Sequence, residues 1–310
     1  MSETVLVTGG AGFIGSSLVR RLLAEGRQVR VLDNFSTGFR ANVEGLDVDL
    51  IEGDLLSYER VHNAVRGCDV VLHMGALPSV PRSIQDPITS TSVNVMGTLN
   101  VLLTARDENV RRVVFASSSS VYGANPALPK IETMCPMPIS PYAAAKLSGE
   151  SLCASFHSVY GLPAVSVRFF NVFGPRQNPH SQYSAVIPKF IYAARAGEPL
   201  TVYGDGTQTR DFTFVEDAVA AVIAASEAKD APGRVFNVAC GRRHSLLQLV
   251  EELGDILGVE PVIDFAEARR GDVQHSQADS TCARDVLGWV PEYSFREGLE
   301  QTVDWFLGSQ

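Results

Sequence analysis

The segment VTGGAGFIGSSL, residues 7–18, decides how the rest of the chain is read. It places Gly9, Gly12 and Gly15 where a β-branched run, TVLVTG (4–9), gives way to an amphipathic stretch over 12–25. Glycine at the first position permits a tight turn, and at the second it lets a phosphate approach the backbone. At the third it allows close packing of helix on strand. The helix that begins there offers free N–H groups to a pyrophosphate. Glycine triplets also occur in plain turns, so the flanking elements carry the reading.

Those elements agree. QVRVLD (28–33) reads as a second strand ending in Asp33, whose carboxylate can accept both ribose hydroxyls of an adenosine and repels a 2′-phosphate. No arginine follows within DNFSTG (33–38), which favours NAD over NADP. Asp54, after the third strand, could accept an adenine amino group or simply cap the next helix.

Further strand patterns follow: VDLIEGD (48–54), DVVLHMG (69–75), RVVFASSS (112–119) and AVSVRFF (164–170). They alternate with helical stretches near 57–66, 88–107 and 141–160. Nearly continuous apolar strands separated by helices indicate an α/β fold with a parallel sheet covered on both faces. Right-handed crossovers make it doubly wound, with the ligand crevice at the carboxyl ends of the strands.

After about residue 175 the pattern changes. GPRQNPHSQYS (174–184) is a polar loop, followed by a helix near 185–196 and the strand LTVYG (200–204). DFTFVEDAVAAVIAASEA (211–228) reads as a short strand and a helix returning to the first lobe. Two more helices, at 245–258 and about 295–307, surround short irregular strands. The expected division gives residues 1–175, with about 210–240, to a dinucleotide lobe. Residues of about 176–209 and 241–310 form a smaller, interleaved C-terminal α/β substrate lobe.

Composition narrows the function. The 310 residues are 45% hydrophobic and 20% charged, as in an ordinary globular enzyme. A net charge of −9 disfavours nucleic acid. No run of about 18 apolar residues is present, so no membrane span is expected. MSETVLVTGG lacks the basic n-region of a signal peptide. Cys68, Cys135, Cys153, Cys240 and Cys282 have no paired or CxxC spacing and read as reduced thiols of a cytoplasmic protein; no metal site is expected.

SPYAAAK (140–146) carries the chemistry. Ser140 suits an N-cap and Pro141 a first helical position, which puts Tyr142 and Lys146 on one face, a turn apart. Serines at 117–120 end the fifth strand on the sheet edge that also holds the glycine loop. A charged Lys146 beside Tyr142 would stabilise the phenolate and lower its pKa from about 10, and a cationic nicotinamide would push the same way. Such a tyrosinate can take a proton from a sugar hydroxyl while hydride leaves the same carbon.

Together TGGAGFIG (8–15), DNFSTG, ASSSSVYG (116–123) and SPYAAAK resemble the extended short-chain dehydrogenase/reductase family, and within it the UDP-hexose 4-epimerases, over essentially the whole chain. The resemblance implies a Rossmann fold and bound NAD. It assigns the cofactor to Gly9, Gly12, Phe13, Ile14, Asp33, Asn34, Ser36, Thr37, Asp54, Leu55, Met74, Gly75, Ala76, Asn94, Tyr142, Lys146 and Phe169. Ser118, Tyr142 and Lys146 become the catalytic triad. A UDP-sugar would meet Ser79, Val80, Arg82, Ser118, Ser119, Ser120, Tyr142 and Asn171. Val186 and Tyr203 would cover its uracil, Arg210 and Arg269 its diphosphate, and Asp272 its ribose. Relatives also suggest a homodimer through helices 88–107 and 141–160.

Dehydratases and decarboxylases of this family carry acids just before the VYG tyrosine; here Ser119, Ser120 and Val121 stand there. The resemblance therefore implies a 4-epimerase of UDP-glucose/UDP-galactose passing through a transient 4-keto sugar. Ser276, where plain-hexose relatives carry tyrosine, leaves room for the N-acetyl group of UDP-GlcNAc/UDP-GalNAc. The alternative is a UDP-glucuronate 4-epimerase or another dehydratase or reductase of the family. Asn178, where uronate enzymes often place arginine, weighs against the first.

Overall fold

Seven parallel strands build the main sheet. They run β1 (Thr4–Thr8), β2 (Gln28–Asp33), β3 (Asp49–Glu52), β4 (Val70–His73), β5 (Arg112–Ser118), β6 (Ala164–Phe169) and a last strand, Val235–Val238. Across the sheet the order is Val235–Val238, β6, β5, β4, β1, β2, β3, every neighbour parallel. The computed structural model describes residues 3–178, 185–267 and 274–308.

The strands are apolar on both sides because both sides are covered. Val5, Leu6 and Val7 of β1 are wholly buried, each stabilising the fold by roughly 1.5–3 kcal/mol. Val5 and Val7 pack in one core and Leu6 in the other, as side-chain alternation requires. Helices α1 (Phe13–Ala24), α2 (Tyr58–Val65), α3 (Val80–Gln85), α4 (Pro87–Thr91), α5 (Gly97–Asp107) and α6 (Pro141–Tyr160) connect the strands, while Val215–Glu227 packs against α1. The chain order reverses between β1 and β4, which opens the crevice at their carboxyl ends.

Two details differ from the sequence reading. The helix expected over 88–107 is three pieces: α4, a π-turn at Ser92–Met96, and α5. The seventh strand, VFNV at 235–238, is too short and too interrupted by Asn237 to show in the pattern. Its asparagine is fully buried because Tyr122 and the backbone of Lys130 and Asp279 satisfy it.

Beyond β6 lie, among the described residues, the helices Val186–Ala196, Leu246–Leu257, Thr281–Leu287 and Phe295–Gly308 and three small two-stranded sheets. No described helix is long and apolar enough to cross a membrane.

Candidate functional site

The glycine loop is shaped by contact. Gly9 has φ +67°, and a Cβ there would lie 2.7 Å from Cα of Gly75. A Cβ on Gly15 would lie 2.1 Å from the carbonyl oxygen of Gly9, so α1 closes onto the loop only with glycine there. Gly12 is the N-cap of α1 and has no side chain to satisfy the helix's first N–H groups. Those donors and the positive end of the helix face the crevice, a cradle suited to a pyrophosphate.

Asp33 is buried at the end of β2. Its Oδ2 accepts the N–H of Ala11 at 2.9 Å and its Oδ1 that of Phe35 at 2.8 Å, so it also locks the glycine loop. Burial pushes its carboxyl up against the pull of these N–H groups. Beside it Nδ2 of Asn34 donates to Oδ2 of Asp54 at 2.7 Å. The cap of α2 is Ser57, which leaves Asp54 facing Asn34. Ser36 donates its N–H to Oδ1 of Asn34 at 3.0 Å, with Thr37 next in the same turn. Leu55 packs under the backbone of Gly75 and Gly97, where a Cβ would meet it at 3.0 and 2.8 Å.

The segment after β4 forms the other wall. Met74 and Gly75 donate their N–H groups to the carbonyl and hydroxyl of Thr8, and Ala76 follows. Asn94, in the π-turn, grips Leu77 at both backbone atoms, accepting its N–H at 2.8 Å and donating to its carbonyl at 3.0 Å. Its amide is thus committed to shaping the wall. Ser79, at φ +104°, caps α3 by accepting the N–H of Arg82, with Val80 the first residue of the helix.

Helix α6 begins as its sequence dictates, with Ser140 accepting the N–H of Ala143 and Pro141 in the first turn. It lies close on β5 because Gly149 faces Phe115, where a Cβ would come within 2.3 Å of the ring. The N–H of Tyr142 donates to Oγ of Ser83 at 3.1 Å, which ties α6 to α3. Tyr142 and Lys146 therefore converge with Ser118, whose hydroxyl accepts from both the N–H and hydroxyl of Ser120. Ser119 completes this turn, and Phe169 ends the adjacent β6.

The electrostatics depart from the sequence expectation. Burial pushes the Tyr142 phenol up to about 12, and the hydrogen bond with Ser118 pulls only partly against it. Lys146 does not reverse this. Its Nζ donates to the carbonyl of Ala116 at 2.7 Å and stands 5.9 Å from the Tyr142 ring centre, while burial pushes the amine itself down to about 8. The polypeptide alone keeps the phenol protonated.

Of the other expected binding residues, Asn171, Arg210 and Ser276 are tied to the chain at Thr209–Asp211. Asn171, at φ +36°, donates its amide to the carbonyl of Asp211 at 2.9 Å. Arg210 donates from Nη1 to the carbonyl of Thr209 at 3.0 Å, which also accepts the N–H of Ser276 at 3.1 Å. The fully buried Asp211 accepts N–H groups from Cys240, Gly241 and Ala278, tying the segment that carries Ser276 to the one that carries Arg210. Burial pushes its carboxyl up to about 7 despite those donors. Tyr203 joins through its carbonyl, which accepts from Gln208 at 2.6 Å. Val186 opens the helix Val186–Ala196. Arg269 and Asp272 lie outside the described residues. Sequence reasoning passed over Thr8, His73, Ser83, Glu150 and Asp211. Only Glu150 left a signal, a second four-residue step after Tyr142 and Lys146.

The glycine cradle, the buried acid after β2 and the tyrosine–lysine helix are the features expected of a dinucleotide-dependent enzyme. Residues 5–239 match the NAD dependent epimerase/dehydratase family. UDP-glucose 4-epimerase of Mycolicibacterium smegmatis is 39% identical over 311 residues, covering 97% of each chain. The UDP-N-acetylglucosamine 4-epimerase structure from Methanobrevibacter ruminantium, in complex with UDP-N-acetylmuramic acid, superposes with a TM-score of 0.95 at 38% identity over 100% of both chains. UDP-glucuronic acid 4-epimerase from Bacillus cereus, solved with UDP-glucuronic acid and NAD, gives 0.91 at 32% identity, over 99% of this chain and 100% of that one. The chain belongs to the NAD-dependent epimerase/dehydratase family of extended short-chain dehydrogenases/reductases. It is an NAD-dependent enzyme of nucleotide-sugar chemistry.

Proposed function

We propose that the protein is a 4-epimerase of UDP-hexoses that keeps its NAD throughout turnover. UDP-glucose/UDP-galactose are the expected substrates, with UDP-GlcNAc/UDP-GalNAc also accepted. The observation that carries this reading is the Ser118–Tyr142–Lys146 set at the crevice with only Ser119, Ser120 and Val121 before Tyr122. No acid stands there to assist elimination or loss of CO2.

In this reading the glycine cradle holds the diphosphate of NAD, Asp33 its adenosine ribose, and Lys146 its nicotinamide ribose. NAD bound there would supply a hydride acceptor for sugar carbon 4 and, once reduced, the donor that returns the hydride. Tyr142, once deprotonated, takes the proton of the 4-hydroxyl, and Ser118 orients that oxygen. The keto sugar then turns about its diphosphate bonds, while Asn171, Arg210, Arg269 and Asp272 hold the nucleotide end. Tyr142 returns the proton after hydride reaches the opposite face, so no cofactor is consumed. Residues 1–175 with about 210–240 serve the dinucleotide, and about 176–209 with 241–310 the UDP-sugar.

We also place a homodimer on the helical stretches 88–107 and 141–160, where Ile88, Met96, Val159 and Tyr160 are exposed, and a cytoplasmic site, in keeping with five free thiols.

Incubation with UDP-glucose, UDP-GlcNAc or UDP-glucuronate without added cofactor tests the reading, with products separated by chromatography. The 4-epimers of the first two are expected. Release of water or CO2, or stoichiometric use of added NAD(P)H, would sink it.

A further inference from the structure

Glu150 stands one turn beyond Lys146 on α6, at the spacing that separates Lys146 from Tyr142. Side chains at that step share a helix face. All three are stitched to consecutive residues at the end of β5. Tyr142 pairs with the hydroxyl of Ser118, Lys146 with the carbonyl of Ala116, and Glu150 with the hydroxyl of Ser117.

Glu150 is held from a second side. Arg168 lies opposite Ser117 on β6 and donates from Nε to Oε1 at 2.9 Å and from Nη2 to Oε2 at 2.7 Å. Both partners of this fork are buried, at 5% and 3% exposure. A buried ion pair is weak evidence for stability, because its desolvation cost offsets its attraction. A carboxylate fixed this firmly beside a reacting amine suggests electrostatic work.

The surroundings of Lys146 point the same way. From its own helix it faces Tyr142, Glu150 and Cys153, and from β4 the neutral ring of His73. From β5 it meets the Ala116 carbonyl and the Phe115 ring, with Nζ 5.0 Å from the ring centre. Arg168, on β6, is engaged by Glu150. Burial drives the amine toward its neutral form, and Glu150 is the foremost group that opposes it.

We propose that Glu150 is a positioning residue: its carboxylate, fixed by Arg168 and Ser117, keeps Lys146 charged and aimed beside Tyr142. This rests on the reading of Tyr142 and Lys146 as the reacting pair. It adds a residue that touches neither sugar nor cofactor.

The chain has only four lysines, so the side-chain nitrogen of Lys146 can be followed by NMR in 15N-lysine-labelled protein, as purified. It is assigned by its loss in Lys146→Arg. In Glu150→Gln its titration midpoint should fall by about one pH unit from wild type, and the alkaline limb of activity should move with it. Glu150→Asp keeps the charge but draws it back by one methylene, so its midpoint should also fall, by less than in the glutamine variant. An unchanged midpoint in Glu150→Gln overturns the proposal. If the glutamine variant fails to fold, the aspartate variant carries the test: a smaller downward shift supports the role, and a midpoint equal to wild type overturns it. The NMR titration needs no sugar. A chain inert on every UDP-hexose would therefore refute the epimerase reading while leaving this result standing.

Discussion

Thr98 donates its hydroxyl proton to the carbonyl of Asn94 at 2.7 Å, and so fixes the protonation of its other neighbour, His73. Thr98 can only accept from Nε2 of His73, 3.1 Å away. Nδ1 then becomes the acceptor of the Thr8 hydroxyl at 2.7 Å, and Thr8 in turn accepts the N–H of Gly75 at 3.1 Å. One chain of hydrogen bonds therefore runs from the wall of the crevice, through the strand before the glycine loop, to the π-turn.

His73 should remain the neutral Nε2–H tautomer from pH 8 to pH 4, which 15N NMR reads directly. Burial, aided by the charge of Lys146, pushes its pKa down to about 3. The sign follows from linkage: between about pH 6.5 and 3 the unfolded chain takes up a proton that the folded one refuses. Stability should fall as pH drops through that window. His73→Gln removes this contribution, so its thermal midpoint should decline less between pH 7 and pH 4.5. Parallel declines would contradict the assignment.

For Tyr142 the structure implies dependence on NAD. Burial holds the phenol at about 12, and no lysine contact brings it down. Its tyrosinate absorbance, taken as the difference from Tyr142→Phe, should emerge only at strongly alkaline pH in protein stripped of NAD. It should move toward neutrality when NAD+ is restored, because a cation beside a phenol favours the phenolate. Tyr142→Phe itself should retain NAD and lose about 10²–10⁴-fold in turnover. Equal titration with and without NAD+ would refute the coupling.

Much of this site could be read in advance because its parts are local. The glycine loop, Asp33, the Ser140 cap and the Tyr142–Lys146 step are all set by neighbours within a few residues, and the structure brings them to one crevice. What could not be read depends on distant pairing. His73 gains its role from Thr8 and Thr98, and Asp211 from Cys240, Gly241 and Ala278. The height of the Tyr142 pKa escaped for the same reason: the spacing predicts a neighbouring charge but not burial, and burial dominates.

Two glycines make a sharp contrast. At Gly15, inside α1, an added methyl would collide with the Gly9 carbonyl, whereas at Gly45, a positive-φ residue in the turn before β3, nothing lies within 4 Å. Gly45→Ala should cost roughly 1–2 kcal/mol from backbone conformation alone. Gly15→Ala must move backbone, so it should cost more in urea unfolding and release NAD on gel filtration. NAD retained in both variants would show that the close approach of α1 is not needed.

The segment at Ser276 tests the sugar end. Its N–H and the guanidinium of Arg210 donate to one carbonyl, that of Thr209, so the side chain lies close to the expected diphosphate site. Under the proposed function this half-buried serine leaves room for the group on sugar carbon 2. Ser276→Tyr would fill that room with a ring. Steric discrimination of this size is worth about 1–3 kcal/mol, or 10–200-fold. The variant should therefore lose that much kcat/KM on UDP-GlcNAc while keeping most of its activity on UDP-glucose. Competition kinetics with both sugars in one reaction measures the ratio, and equal losses on the two would exclude Ser276 as the determinant.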